Sequence, residues 1–88
     1  SYIDHLVLPA GASQGSHRHD GVEEFYYVIS GEGRFRLGNE SQAVKKGDAI
    51  PVFYNEIHGL DNTGPGELEV MILGAARSKW ALDTVEVK

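Results

Sequence analysis

Apolar residues along the chain come in short runs divided by clusters of Gly, Pro, Asn and Asp, a pattern of many short strands and many turns. Residues 3–8 (IDHLVL) form the first run, which Pro9 and Gly11 stop. Residues 24–30 (EFYYVIS) are dominated by aromatic and β-branched side chains and predict the strongest strand. Gly31-Glu32-Gly33 then predicts a turn. Beyond it Phe35 and Leu37 alternate with Arg34 and Arg36, a period of two that predicts a strand with both arginines on a solvated face. Gly38-Asn39 is a tight hairpin signal, followed by a short strand at 42–44 and a turn at Lys45-Lys46-Gly47. Ile50 and Val52 mark another strand. Residues 58–62 and 68–73 supply two more, separated by the turn-rich stretch 62–66. Helical character is confined to one or two turns at residues 75–82. About eight short strands in so small a chain predict an all-β fold, a compact β-sandwich or jelly-roll barrel that closes its edges.

Length narrows this picture. Eighty-eight residues of 9.6 kDa make one domain, residues 1–88. A domain of that size buries only about 60% of the surface its unfolded chain exposes, so a metal or a second subunit would help its thin core. There is no cysteine. Disulfides, thiolate catalysis, zinc fingers and iron–sulfur clusters are thereby excluded, and any metal must be held by His, Asp or Glu. Thirteen acidic residues against eight basic ones give a net charge of −5, and the scattered Lys and Arg argue against a nucleic-acid partner. No apolar run approaches the roughly 20 residues that span a bilayer, and no basic segment precedes a hydrophobic stretch at the start. A cytoplasmic protein with no membrane contact is expected. The chain opens on Ser1, consistent with a piece processed or excised from a longer protein.

The candidate chemistry lies in the histidines. His17 and His19 are two residues apart, and in a strand that spacing puts both imidazoles on one face. Glu24 stands at the head of the strongest strand, and His58 is the candidate third imidazole from a distant one. A divalent metal of borderline softness takes imidazole nitrogen together with carboxylate oxygen. Three imidazoles and one carboxylate would leave two positions of an octahedral ion for substrate or dioxygen. By itself, His-x-His in a β protein is more often a surface or core-satisfied pair than a pair of ligands.

The surrounding spacing adds to this. Gly11, His17, His19, Glu24 and Gly31 read G-x5-H-x-H-x4-E-x6-G, which resembles the first motif of the cupin superfamily at every fixed position. From Gly47 the second motif, G-x5-P-x-G-x2-H-x3-N, meets His58 and Asn62, with Phe53 in place of its proline and Asn55 in place of its glycine. Asn tolerates the left-handed conformation that a turn glycine serves, and Pro51 offsets part of the lost rigidity. The resemblance covers residues 11–62 directly. It implies a cupin-type double-stranded β-helix, with His17, His19, Glu24 and His58 as ligands, pointing into the barrel, of one divalent transition metal ion: iron, manganese, nickel, zinc or copper. The spacing to Gly31 favours Glu24 over Glu23, which is left as a solvated or outer group. A homodimer is also implied, and edge pairing through residues 3–8 or 84–87 would build it.

With Glu24 inward, Tyr26 and Val28 share its face while Phe25, Tyr27 and Ile29 turn away, so Tyr26 is the candidate pocket residue. Phe35, Ile50, Val52, Leu60 and Met71 are expected to fill or line the cavity. His5 is expected at the surface, Trp80 over a barrel edge or subunit contact, and Asn62 in a turn-fixing role. Cupins with this ligand set include dioxygenases, decarboxylases, isomerases, lyases and proteins that only bind. Proton transfer needs a second acid or base, and beyond the ligands the inward positions offer mostly apolar groups plus Tyr26. The leading expectation is therefore a metal-dependent enzyme performing dioxygenase-type oxidation on a small oxygen- or carboxylate-bearing molecule. The alternatives are a non-catalytic small-molecule-binding or sensing domain, and a metal-assisted isomerase, lyase or decarboxylase.

Overall fold

The computed structural model describes residues 2–53, 56–76 and 83–86, with 19, 20, 76 and 83–86 as backbone alone. In chain order the strands are β1 (Tyr2–Leu8), β2 (Ser13–Asp20), β3 (Val22–Ser30), β4 (Glu32–Leu37), β5 (Glu40–Lys45), β6 (Ala49–Val52), β7 (His58–Asn62), β8 (Leu68–Ala76) and β9 (Asp83–Glu86). They form two sheets in the orders β1-β8-β3-β6 and β5-β4-β7-β2-β9, with every pairing antiparallel. No helix occurs among the described residues, and so none there is long and apolar enough to cross a membrane. The fold is the all-β double-stranded helix that the sequence motifs imply.

Period two decides which side chains enter. Along β3, Val22, Glu24, Tyr26 and Val28 are buried while Phe25 and Tyr27 are exposed. On β8, Leu68, Val70 and Ile72 face them in register, Val28 against Val70 and Tyr26 against Ile72. Leu8, Phe35, Val44, Val52 and Leu60 complete the core from the other strands. Full burial of a side chain such as Leu68 or Val70 contributes about 1.5–3 kcal/mol. Asn62 is buried among them with its amide donating to the Leu8 and Gly66 carbonyls, both at 2.8 Å, and accepting from Gly64 N–H at 3.0 Å. It ties the end of β7 to the turn that follows, the role its place in the sequence suggested.

Four expectations are corrected. The turn after β3 is narrower than Gly31-Glu32-Gly33: Gly31, at φ +89°, makes it, and Gly33 lies inside β4. A Cβ at Gly33 would strike the Asp61 carbonyl and, at 2.7 Å, the Leu68 side chain, so this glycine serves close packing. Met71 has the opposite parity to Leu68, Val70 and Ile72 and does not line the interior. Arg36 is half-buried and bonded on three sides, while Arg34 does lie exposed. Ala75 and Ala76 extend β8 instead of opening a helix, and the rest of that segment, including Trp80, lies outside the described residues. His5 is at the surface, its Nε2 2.6 Å from Glu69 Oε2.

Candidate metal centre

β2 is polar throughout and carries no apolar signal, yet it positions the first candidate ligand, His17. Gln14 pairs with Leu60 and His17 with His58, so three steps along β2 match two along β7. The extra residue is a β-bulge, and it brings Gln14 and His17, of opposite parity, both opposite inward residues of β7. Arg36 holds the bulge from β4, which lies on the far side of β7. Its guanidinium crosses β7 over Gly59, where a Cβ would meet Nη2 at 2.5 Å, and donates to the Gln14 carbonyl at 2.7 Å and to the Ser16 hydroxyl. Asp61 accepts from its Nε at 3.0 Å, which completes the clamp.

The structure brings together His17, Glu24 and His58, all buried, with one ligand atom from each lying within 4.8 Å of the others. The two imidazoles sit with centroids 4.2 Å apart. Each Nδ1 contacts the carbonyl two residues back: His17 to Gly15 at 2.9 Å and His58 to Glu56 at 3.0 Å. A carbonyl only accepts, so both Nδ1 atoms carry a proton, and in a neutral ring that leaves Nε2 with a lone pair. This is the outer hydrogen bond that orients imidazole ligands around metals. His58 Nε2 then faces Glu24 Oε1 at 2.9 Å. A lone pair and a carboxylate oxygen at that distance need a proton or a cation to hold them together. The donor chemistry therefore fits a divalent transition metal ion.

Tyrosines and one amide surround the triad. The Tyr2 hydroxyl donates to Glu24 Oε2. Tyr26 lies edge-on to His58, centroids 5.6 Å apart, and its hydroxyl donates to Gln14 Oε1 at 3.0 Å. Burial first, and Glu24 next to it, push both phenols well above the ordinary tyrosine range, with the Gln14 bond opposing this at Tyr26. Phe35 stacks over His58 at 6.2 Å and also lines a groove of about 570 Å³ beside β5 and β6, with Leu37, Ile50 and Phe53. Glu23 is half-buried on the opposite parity of β3. His19 lies on β2 in unbroken pairing with β9, opposite Thr84, but its side chain lies outside the described residues, as does Asn55. Tyr2 and Gln14 are site residues that sequence reading missed. Gly15 inside a strand was the available sign of a bulge at Gln14, while Tyr2 gave none.

Comparison with known proteins agrees with this fold. Residues 4–74 match the Cupin domain family, and the chain belongs to it. An oxalate-binding protein of Thermotoga maritima is 39% identical over 66 residues, which are 75% of this chain and 54% of that protein. A crystal structure from the same organism, described as a "predicted oxalate decarboxylase", superposes with a TM-score of 0.82 at 34% identity, covering 84% of this chain and 64% of that one. A double-stranded β-helix protein of Klebsiella pneumoniae superposes at 0.88 over 98% of this chain and 73% of its own, at 23% identity, a likeness of fold alone. The chain spans about half the length of the curated relatives it matches.

Proposed function

We propose that this cupin holds one divalent transition metal ion on His17, Glu24 and His58, with His19 as the fourth ligand, and binds a small carboxylate of the oxalate type there without turnover. The observation that carries the reading is the convergence of three buried donors within 4.8 Å. His19 enters through the His-x-His spacing. Iron, manganese, nickel, zinc and copper all accept this donor set, and availability chooses among them. A bound ion supplies Lewis acidity, or one-electron chemistry if it is iron. The carboxylate is supported by the 39% identical oxalate-binding relative. Binding without turnover is supported by the neighbours of the triad: Tyr2, Tyr26 and Gln14 are two phenols and an amide, and a phenol held protonated well above its ordinary range is neither available as a base nor ready as an acid. The same poverty of acid and base groups supports dioxygenase-type oxidation as the second reading, because oxygen chemistry asks less of the protein.

Titration calorimetry with oxalate, on protein loaded with each metal in turn and never exposed to a nickel column, tests the reading. Oxygen uptake and formate or carbon dioxide release are followed on the same samples. Saturable binding that requires metal, with no gas exchange and no product, is expected. Oxygen consumption by the iron form would replace binding with oxidation, formate or carbon dioxide release without oxygen uptake would replace it with decarboxylation, and failure to take up any metal would leave a fold without its centre. The outer edges of β1 and β9 carry no further strand among the described residues, and we expect a second copy to pair there as a homodimer. Light scattering at micromolar concentration would return a monomer mass if that is wrong.

A further inference from the structure

Tyr2, Gly74 and Glu24 stand in one row across the first sheet, one each on β1, β8 and β3. Neighbouring strands lie about 4.8 Å apart, so a side chain on β1 must cross β8 to reach β3. Gly74 leaves the way open: a Cβ there would occupy the space of the Tyr2 ring and hydroxyl. Gly74 is buried and its backbone is outside the left-handed region, so what its position demands is the missing side chain. Across this gap the Tyr2 hydroxyl donates to Glu24 Oε2, while Oε1 faces His58 Nε2 at 2.9 Å. The two oxygens of one carboxylate are thus committed to different neighbours.

We propose that Tyr2 is a positioning residue that fixes the rotation of Glu24, so that one oxygen, Oε1, is offered to an ion shared with His17 and His58 while Oε2 is held away from it. The inference rests on the metal reading above. A carboxylate restrained to one oxygen takes one position on the ion instead of two, which leaves an additional position for a small chelating ligand.

Tyr2→Phe removes the hydroxyl and keeps the ring over Gly74. Cobalt(II) is the probe: its affinity is read by competition with a chromophoric chelator, its ligand field by visible absorption, and the metal-free fold by thermal unfolding. Loss of an outer hydrogen-bond partner weakens metal binding about 10–100-fold, and that is the expected loss, together with a changed cobalt spectrum and a metal-free fold that unfolds close to wild type. Gly74→Ala, which drives the ring from its place, is expected to change the spectrum in the same direction. A Tyr2→Phe protein with wild-type affinity and spectrum would overturn the proposal and leave the metal centre standing. Weaker binding with an unchanged spectrum would also overturn it, since a purely structural role gives that result. Wild-type protein that takes up no cobalt would overturn both this proposal and the metal reading beneath it.

Discussion

At one end of the interior Val28, Val70 and Leu68 meet across β3 and β8, all fully buried. Four residues back along the same face of β3, about 13 Å away, Glu24 meets His17 and His58 instead. Strand, parity and burial are the same at both ends, and only the side chains differ. An apolar contact gains free energy from burial with little regard to the neighbour's identity. A buried carboxylate loses several kcal/mol of hydration and recovers it only from partners placed within hydrogen-bond reach. Both ends carry a register shift, at Val28/Ser30 and at Gln14/His17, but the polar end also needs an Arg36 clamp and a tyrosine brought across a glycine gap. Stability is concentrated at the apolar end, and the candidate metal centre is built where the fold gains least.

Substitutions at the two ends should therefore separate stability from metal binding. His58→Ala is expected to lower metal affinity by at least about 100-fold, measured by metal content and chelator competition, because it removes both a proposed ion ligand and the partner of Glu24. Leu68→Ala is expected to cost about 2–5 kcal/mol in urea unfolding, through lost burial and the cavity left behind. The folded fraction of Leu68→Ala should bind metal within about threefold of wild type, since sites this far apart act additively. A Leu68→Ala protein whose affinity fell as far as that of His58→Ala would mean that the two ends are one coupled unit.

What the sequence made legible follows the same division. β1, β3 and most of β8 were predicted because each carries an apolar or β-branched run between turn residues, and β7, with Leu60 as its one apolar side chain, was predicted with both ends as observed. β2 was not predicted as a strand: Ser13–Asp20 reads SQGSHRHD, and it is held by pairing to β7 and β9, a long-range cause that no local pattern reveals. The candidate ligands His17, Glu24 and His58 were legible from their residue types and spacing. The groups that orient them were not. Gln14 enters only through the bulge, and Tyr2 reaches Glu24 only because registers on both sides of β8 align it with Gly74. Arg36 illustrates the same limit: its alternation with Phe35 and Leu37 correctly turns it away from the core, but the Gly59 gap that lets it clamp β2 belongs to another strand.

Tyr26 stands where the two ends meet, its ring packed edge-on against Phe35 at 5.0 Å and its hydroxyl held by Gln14, and so it tests how sharp the boundary is. In the unfolded chain its phenol ionises near the ordinary value of 10.0, whereas in the folded protein burial and the Glu24 charge hold it protonated well above that. Above pH 10 the folded state thus binds the extra proton, and stability falls as pH rises. The stabilisation is fully present below the unfolded value and is lost on the way up to the folded one. For one such group the loss between pH 9 and pH 11 is about 1.4 kcal/mol. Tyr2, raised by the same causes, adds a similar decline, so the comparison must be with Tyr26→Phe, which keeps the ring and deletes only the titrating group. In metal-free protein the urea-derived stability of wild type should fall by about that amount more than the variant's over this range. Parallel curves for the two proteins would place the Tyr26 hydroxyl in contact with solvent, and the wet region would then extend beyond the triad into the core.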